Sequence, residues 1–205
     1  MDERLFFSAT ERNREHIRKV LSEVLPKSGF VLEIASGSGE HGVTFQEHFD
    51  KVSWQTSDPD PLCRKSIRAW INYKSLSKQM PDPIDIDVEK TPWPLTEELR
   101  SSLEAVVCIN MLHICPWRCT KALFRETANL LDTDQLLIIY GPFKVNGEHI
   151  SHSNFLFDKA LKDQNPYWGV RDLEAVNEIA SQNGFKKPQI IEMPANNLSI
   201  IFKIK

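Results

Sequence analysis

A mostly parallel α/β sheet, covered by helices on both faces and closing on an antiparallel hairpin, is the fold this sequence predicts. Three features predict it. Helical and strand-like periodicities alternate along much of the chain, an apolar run collapses into a glycine-rich loop at residues 30–42, and two strand patterns around a short turn end the sequence. At 205 residues there is length for one substantial core and too little for a full second domain. No repeat or linker divides it, so residues 1–205 are expected to form one domain. Its N-terminal helix, at about residues 10–25, is expected to cover the ligand side of the sheet.

Residues 11–25 place Ile17, Val20, Leu21, Val24 and Leu25 on one helical face, and Pro26 with Gly29 stops that helix. Phe30 to Ile34 reads as a strand covered on both sides. Residues 42–49 make a short helix facing the glycines, and 52–56 a second strand ending at Ser57-Asp58. Pro59 and Pro61 fix the entry of a helix at 61–76, with Asp60 as its cap. A third strand at 84–88 carries Asp87. The fourth, 104–110, follows a loop containing Thr91-Pro92-Trp93-Pro94. Residues 118–131 are amphipathic, and 135–140 form an apolar fifth strand ended by Gly141-Pro142-Phe143. Helices at 155–161 and 173–183 occupy the long connection, Asp172 capping the second. Strands at 189–193 and 199–204, joined through Pro194-Ala195-Asn196-Asn197, bring the count to seven.

Composition narrows the classes of function. The formal charge is −3 with acids and bases mixed, and no basic stripe asks for nucleic acid. The four cysteines lack CxxC spacing, so neither disulfides nor a metal site is expected. Without a signal peptide or a run near the roughly 18 apolar residues of a span, a cytoplasmic protein with no membrane partner is expected, the nucleus remaining open.

The loop carries the chemistry. Gly37-x-Gly39-x-x-Gly42 matches the dinucleotide pattern, and Asp58 follows at about the 20-residue spacing of an acid that grips a ribose. A pyrophosphate needs positive potential, however, and Glu33, Glu40 and Asp58 surround this loop with carboxylates. S-adenosylmethionine has no phosphate and carries a sulfonium and an ammonium, which such acids attract. With Glu33 included, the run Glu-x-Ala-x-Gly-x-Gly resembles the first motif of Rossmann-like methyltransferases, with Ala35 at the usual first glycine and Ser36 beside it. Ligands of such sheets lie beyond the carboxyl ends of the strands. Asp58 is then placed for both ribose hydroxyls, Asp87 for an adenine amine with Ile86 or Val88 packing on the ring, and Asn110 for the donor's amino-acid portion. For the loop the alternative is a ligand-free turn, for Asp58 a cap before Pro59, and for Asp87 a plain turn acid.

The motifs Glu11-Arg12-Asn13, Glu33-x-Ala-Ser-Gly-Ser-Gly-x-His41, Trp54-Gln55-x-Ser57-Asp58, Cys108-Ile109-Asn110-Met111-x-His113, Tyr140-Gly141-Pro142-Phe143 with Asn146-Gly147, Trp168-Gly169-x-Arg171-Asp172 and Met193-Pro194-Ala195-Asn196-Asn197 resemble, end to end, the methyltransferase-like protein 26 family and its bacterial relatives. That resemblance implies a Rossmann-like methyltransferase fold and S-adenosyl-L-methionine as cofactor. It leaves the acceptor unspecified. Its motifs add Arg12, Asn13, His41 and Met111 to the expected cofactor contacts. Arg12 and Asn13 open a helix that can fold over bound cofactor, and His41 can stack beside it.

Methyl transfer from a sulfonium is an in-line displacement, so positioning and a closed site supply most of the acceleration. Where the acceptor must lose a proton, His113 after the fourth strand is the candidate base, and Tyr140 can bound the acceptor pocket; for both, ordinary packing is the alternative. Arg12 with Arg171 would suit a carboxylate or phosphate on the acceptor. The expected function is methyl transfer to a small molecule, a protein acceptor remaining open. A catalytically silent S-adenosylmethionine-binding interaction protein is the second reading. An NAD-dependent oxidoreductase is the third, opposed by Glu33 and by the terminal hairpin.

Overall fold

The computed structural model describes residues 2–205, which divide after Cys108 into two compact units. In the first, α1 (Ser8–Val24) buries Asn13, Ile17, Val20 and Leu21 along one face. It ends at Leu25, whose extended backbone is what a following proline imposes. Then come β1 (Gly29–Ile34), α2 (Glu40–His48), β2 (Val52–Thr56), α3 (Pro61–Tyr73), a short α4 (Glu97–Ser101) and β3 (Leu103–Ile109). Strand β1 runs parallel to both β2 and β3, which is why Val31 to Ile34 is buried without alternation. Asp60 caps α3 as expected, accepting the Leu62 N–H at 2.8 Å.

The strand expected at 84–88 is reduced to a single bridge. Ile84 donates to the Thr56 carbonyl and accepts from the Asp58 N–H, and there the pairing stops. Pro81 and Pro83 have no N–H to give. Asp87 turns the chain away, its carboxylate taking the Glu89 N–H and its carbonyl the Lys90 N–H.

The second unit holds α5 (Trp117–Leu130), β4 (Leu136–Gly141), a small hairpin of β5 (Phe143–Val145) and β6 (Glu148–His149), α6 (His152–Gln164), β7 (Arg171–Asp172), α7 (Leu173–Gln182), β8 (Gln189–Met193) and β9 (Asn197–Lys203). Strand β9 pairs antiparallel with both β4 and β8, so the terminal hairpin forms as expected, with Pro194–Asn196 as its turn. The rings of Phe124, Phe185 and Phe202 meet edge to face at 5.1 to 6.0 Å behind these strands. Asp172 caps α7 by accepting the Ala175 N–H. A second sheet, ordered β6-β5-β7, was not anticipated.

Six strands therefore carry the principal pairing, β2-β1-β3 in one unit and β4-β9-β8 in the other, where seven were expected. Among the described residues, no helix is long and apolar enough to cross a membrane.

Helix α2 lies close to the strands because residue 42 has no side chain. A Cβ there would stand 2.6 Å from Thr56 Cγ2 and 3.0 Å from Glu33 Oε2. Gly42→Ala is expected to destabilise the protein by about 1–3 kcal/mol, seen as a lower denaturant midpoint at unchanged slope. A midpoint equal to that of the wild type would show that the helix shifts freely.

Candidate functional site

Between β1 and α2 the chain turns through Ala35 to Gly39, with Ala35 (φ 56°), Gly37 (φ 56°) and Gly39 (φ 89°) in the left-handed region. For glycine this is free, whereas Ala35 bears a cost of about 1 kcal/mol. At Gly39 a Cβ would also stand 2.8 Å from the Ile67 Cα, so α3 approaches the loop backbone to backbone.

Asp58, just past β2, holds this loop. Its Oδ2 accepts the Gly37 N–H at 2.9 Å and its Oδ1 the Asp60 N–H at 2.9 Å. Burial pushes its pKa up, and the two amide bonds work against that rise. The capping role given above as the alternative is thus real. The Cys63 thiol is a third donor to this carboxylate, whose roughly four lone-pair sites still leave room for a further donor.

Glu33 is placed differently from the acid at the loop's mouth that the sequence predicts. It is 1% exposed, lies beneath Gly42 of α2, and accepts the Trp54 indole N–H at 3.0 Å. Burial pushes its pKa up to about 7, against the lowering effect of Trp54 and Ser36. Near neutrality it is only partly ionised. Ser36 is also buried; its N–H donates to the Ser57 carbonyl and its hydroxyl accepts the Ser57 N–H, which locks the turn to the end of β2.

Asn13 and His41 dock α1 on α2. The His41 Nε2 meets Asn13 Oδ1 at 2.7 Å, its ring stacks on Phe45, and beside it Arg14 pairs with Glu40. Burial, then the Arg14 charge, pushes His41 down to about 3, so it is neutral and donates from Nε2. Arg12 is exposed. Asp87 serves its turn, and Val88 is buried one residue on. One residue the sequence reading passed over belongs here: the Phe7 ring covers Gly37.

In the second unit, Asn110 takes a left-handed conformation (φ 59°), which asparagine tolerates, and donates its N–H to the Tyr140 carbonyl at 2.9 Å. Met111, His113 and Tyr140 are buried. The His113 ring meets Phe157 edge-on at 5.4 Å, and its Nδ1 lies 3.4 Å from where a Cβ on Gly141 would be. Burial and then the Arg171 charge push it down to about 4. Arg171 gives Nε to the Leu112 carbonyl at 2.9 Å and Nη2 to the carbonyls of Tyr167, at 2.9 Å, and Cys115. It pins the turn that carries His113, so the pairing of Arg12 with Arg171 around an anionic acceptor loses its second arginine. A further pair had no signal in the sequence: His149 Nε2 lies 3.2 Å from buried Asp158.

A family model described as "Protein of unknown function (DUF938)" matches residues 4–204. The chain belongs to this family. Among solved structures, the DUF938 chain is similar to an O-methyltransferase family protein from Burkholderia thailandensis (14% identity, TM-score 0.77, 96% of this chain and 57% of that one). It is similar also to a putative O-methyltransferase from Nostoc punctiforme (16%, 0.77, 96% and 56%). A third is human N-acetylserotonin methyltransferase in complex with SAM (14%, 0.75, 96% and 52%). The DUF938 chain spans a little over half the length of these proteins. Identities this low establish the shared α/β Rossmann-like fold.

Glu33 loses its proton near 4.5 when exposed in the unfolded chain and near 7 in the DUF938 fold. Stability should therefore fall as pH rises from about 4.5 to 7, by about 3 kcal/mol at most, because the unfolded state binds fewer protons there. Glu33→Gln is expected to remove that decline, read from denaturation midpoints across the range. An unchanged slope would show that Glu33 titrates normally. Ala35→Gly, which relieves the left-handed residue, is expected to leave stability unchanged or raise it by up to about 1 kcal/mol.

Proposed function

We propose that this chain is an S-adenosylmethionine-dependent methyltransferase acting on a small molecule, with both units forming one Rossmann-like domain of a cytoplasmic protein. Membership of the methyltransferase-like protein 26 family is part of the same reading. The observation that carries it is Asp58, a carboxylate fastened to the glycine loop at the end of a parallel strand, with acceptor capacity left for a ribose hydroxyl. Glu40 adds a second acid at the start of α2. Carboxylates in this position repel a diphosphate and favour a cationic sulfur nucleoside. The solved relatives of the fold, one of them complexed with SAM, support the same cofactor.

Asp58 and the Gly37 to Gly39 backbone hold the nucleoside in this proposal, with Val88 against the base and Asn110 and Met111 toward the amino-acid end. Bound cofactor supplies an electrophilic methyl group. His113 is the proposed proton acceptor for an acceptor hydroxyl or amine, since its folded environment keeps it unprotonated at any pH above about 4. Tyr140 bounds the pocket. The silent-binder reading draws on the same burial: a histidine held so far below neutrality is a weak base.

Calorimetric titration with S-adenosylmethionine, S-adenosylhomocysteine and NAD tests the proposal. The first two are expected to bind and NAD to fail, with Asp58→Ala weakening both by roughly tenfold or more. His113→Ala should leave binding intact and lower transfer of labelled methyl by about a hundredfold or more. Binding of NAD alone would sink the assignment, and binding without transfer to any metabolite pool would favour the silent protein.

A further inference from the structure

The open side of Gly37 is taken by the chain's own N-terminal segment. A Cβ built on Gly37 would stand 3.0 Å from Phe7 Cε2, so the phenyl ring fills the space that glycine leaves open. The residues before it are fastened to α3. Leu5 donates its N–H to Ser66 Oγ at 2.8 Å and accepts the Trp70 indole N–H at 3.0 Å. Phe6 meets Trp70 edge to face at 5.2 Å, the Arg4 guanidinium lies 3.7 Å above the Tyr73 ring, and Glu3 pairs with Lys65.

Ser66 links this segment to the loop itself. Its buried hydroxyl accepts from Leu5 and donates to the Ser38 carbonyl at 2.7 Å. Yet the segment is not core. Phe6 is 63% and Phe7 44% exposed, and a cleft of about 510 Å³ opens beside it, lined by Arg4, Phe6, Arg14, Glu40, Trp70 and Tyr73. It is held by a few directed contacts to α3.

We propose that Phe7 is a residue of the cofactor site, the tip of a strap running from Asp2 to Phe7 that must lift from Gly37 before a ligand reaches the glycine loop. The proposal rests on the function proposed above. A closed strap makes binding wait for opening, so the observed association rate levels off as ligand is raised. Phe7→Ala removes the ring from Gly37, and Trp70→Phe removes the indole N–H that holds Leu5 while keeping an aromatic ring.

Stopped-flow binding of S-adenosylhomocysteine to the full chain, followed by protein fluorescence, tests this, with S-adenosylmethionine as a second probe. The wild-type rate is expected to saturate, and Phe7→Ala to raise the plateau about tenfold, the weight of one partly buried aromatic contact. Trp70→Phe should raise it in the same direction, with calorimetry reporting ligand binding for that variant. A wild-type rate linear in ligand, unchanged by Phe7→Ala, would overturn the strap while leaving the cofactor assignment standing. Failure of both ligands to bind wild type and Phe7→Ala alike would overturn the strap and the cofactor assignment together.

Discussion

The bond from Asp58 to the Gly37 amide is the constraint on which the candidate site depends. Ala35, Gly37 and Gly39 all lie in the left-handed region; the Ser36 and Gly39 amides donate to the Ser57 and Ser36 carbonyls, and the Gly37 amide turns to a side chain. An N–H left unpaired at a part-buried position costs up to about 1–3 kcal/mol. One carboxylate supplies that acceptor, and through Asp60 it also fixes the entry to α3. The loop, the end of β2 and the start of α3 are thus a single fastened corner. Its geometry is set before any ligand arrives.

How much of this the sequence shows depends on how local the cause is. The centre of the sheet was legible, because β1 has parallel neighbours on both sides and its residues need no alternation. Caps at Asp60 and Asp172 were legible for the same local reason: an acid two or three residues before the first free amides. The strand read at 84–88 failed because apolarity was weighed above the missing donors of Pro81 and Pro83. The sheet of β5, β6 and β7 escaped notice because two or three residues carry no periodicity. Phe7 was illegible for another reason. Only its distant partner, Gly37, gives that ring a role.

Burial is the first cause of every large pKa change within the two candidate sites. Glu33 is held up near 7, His41 down near 3 and His113 down near 4, each toward its uncharged form. A sequence reading counts formal charges and places Glu33 among the acids that face a ligand. Its carboxylate instead ties β1 to β2 through the Trp54 indole, beneath Gly42 of α2. The attraction for a cation therefore falls on Asp58 and Glu40, and Glu40 is partly neutralised by Arg14. This narrows the electrostatic case to fewer groups and makes Asp58 its principal support.

The glycine pattern itself is indifferent to the cofactor. Each of its three members answers to the protein: Gly37 to the Phe7 ring, Gly39 to the backbone of α3, and Gly42 to Thr56, Glu33 and Trp54. A motif satisfied by internal packing cannot tell a diphosphate from a sulfonium, since both would meet the same bare backbone. What can tell them apart is the sign of the side chains that approach that backbone. Those are carboxylates, and the nearest of them, Asp58, already binds the loop through one oxygen and the entry to α3 through the other. Discrimination between ligands thus rests on an acid that the fold needs for its own sake, and folding and recognition depend on the same side chain.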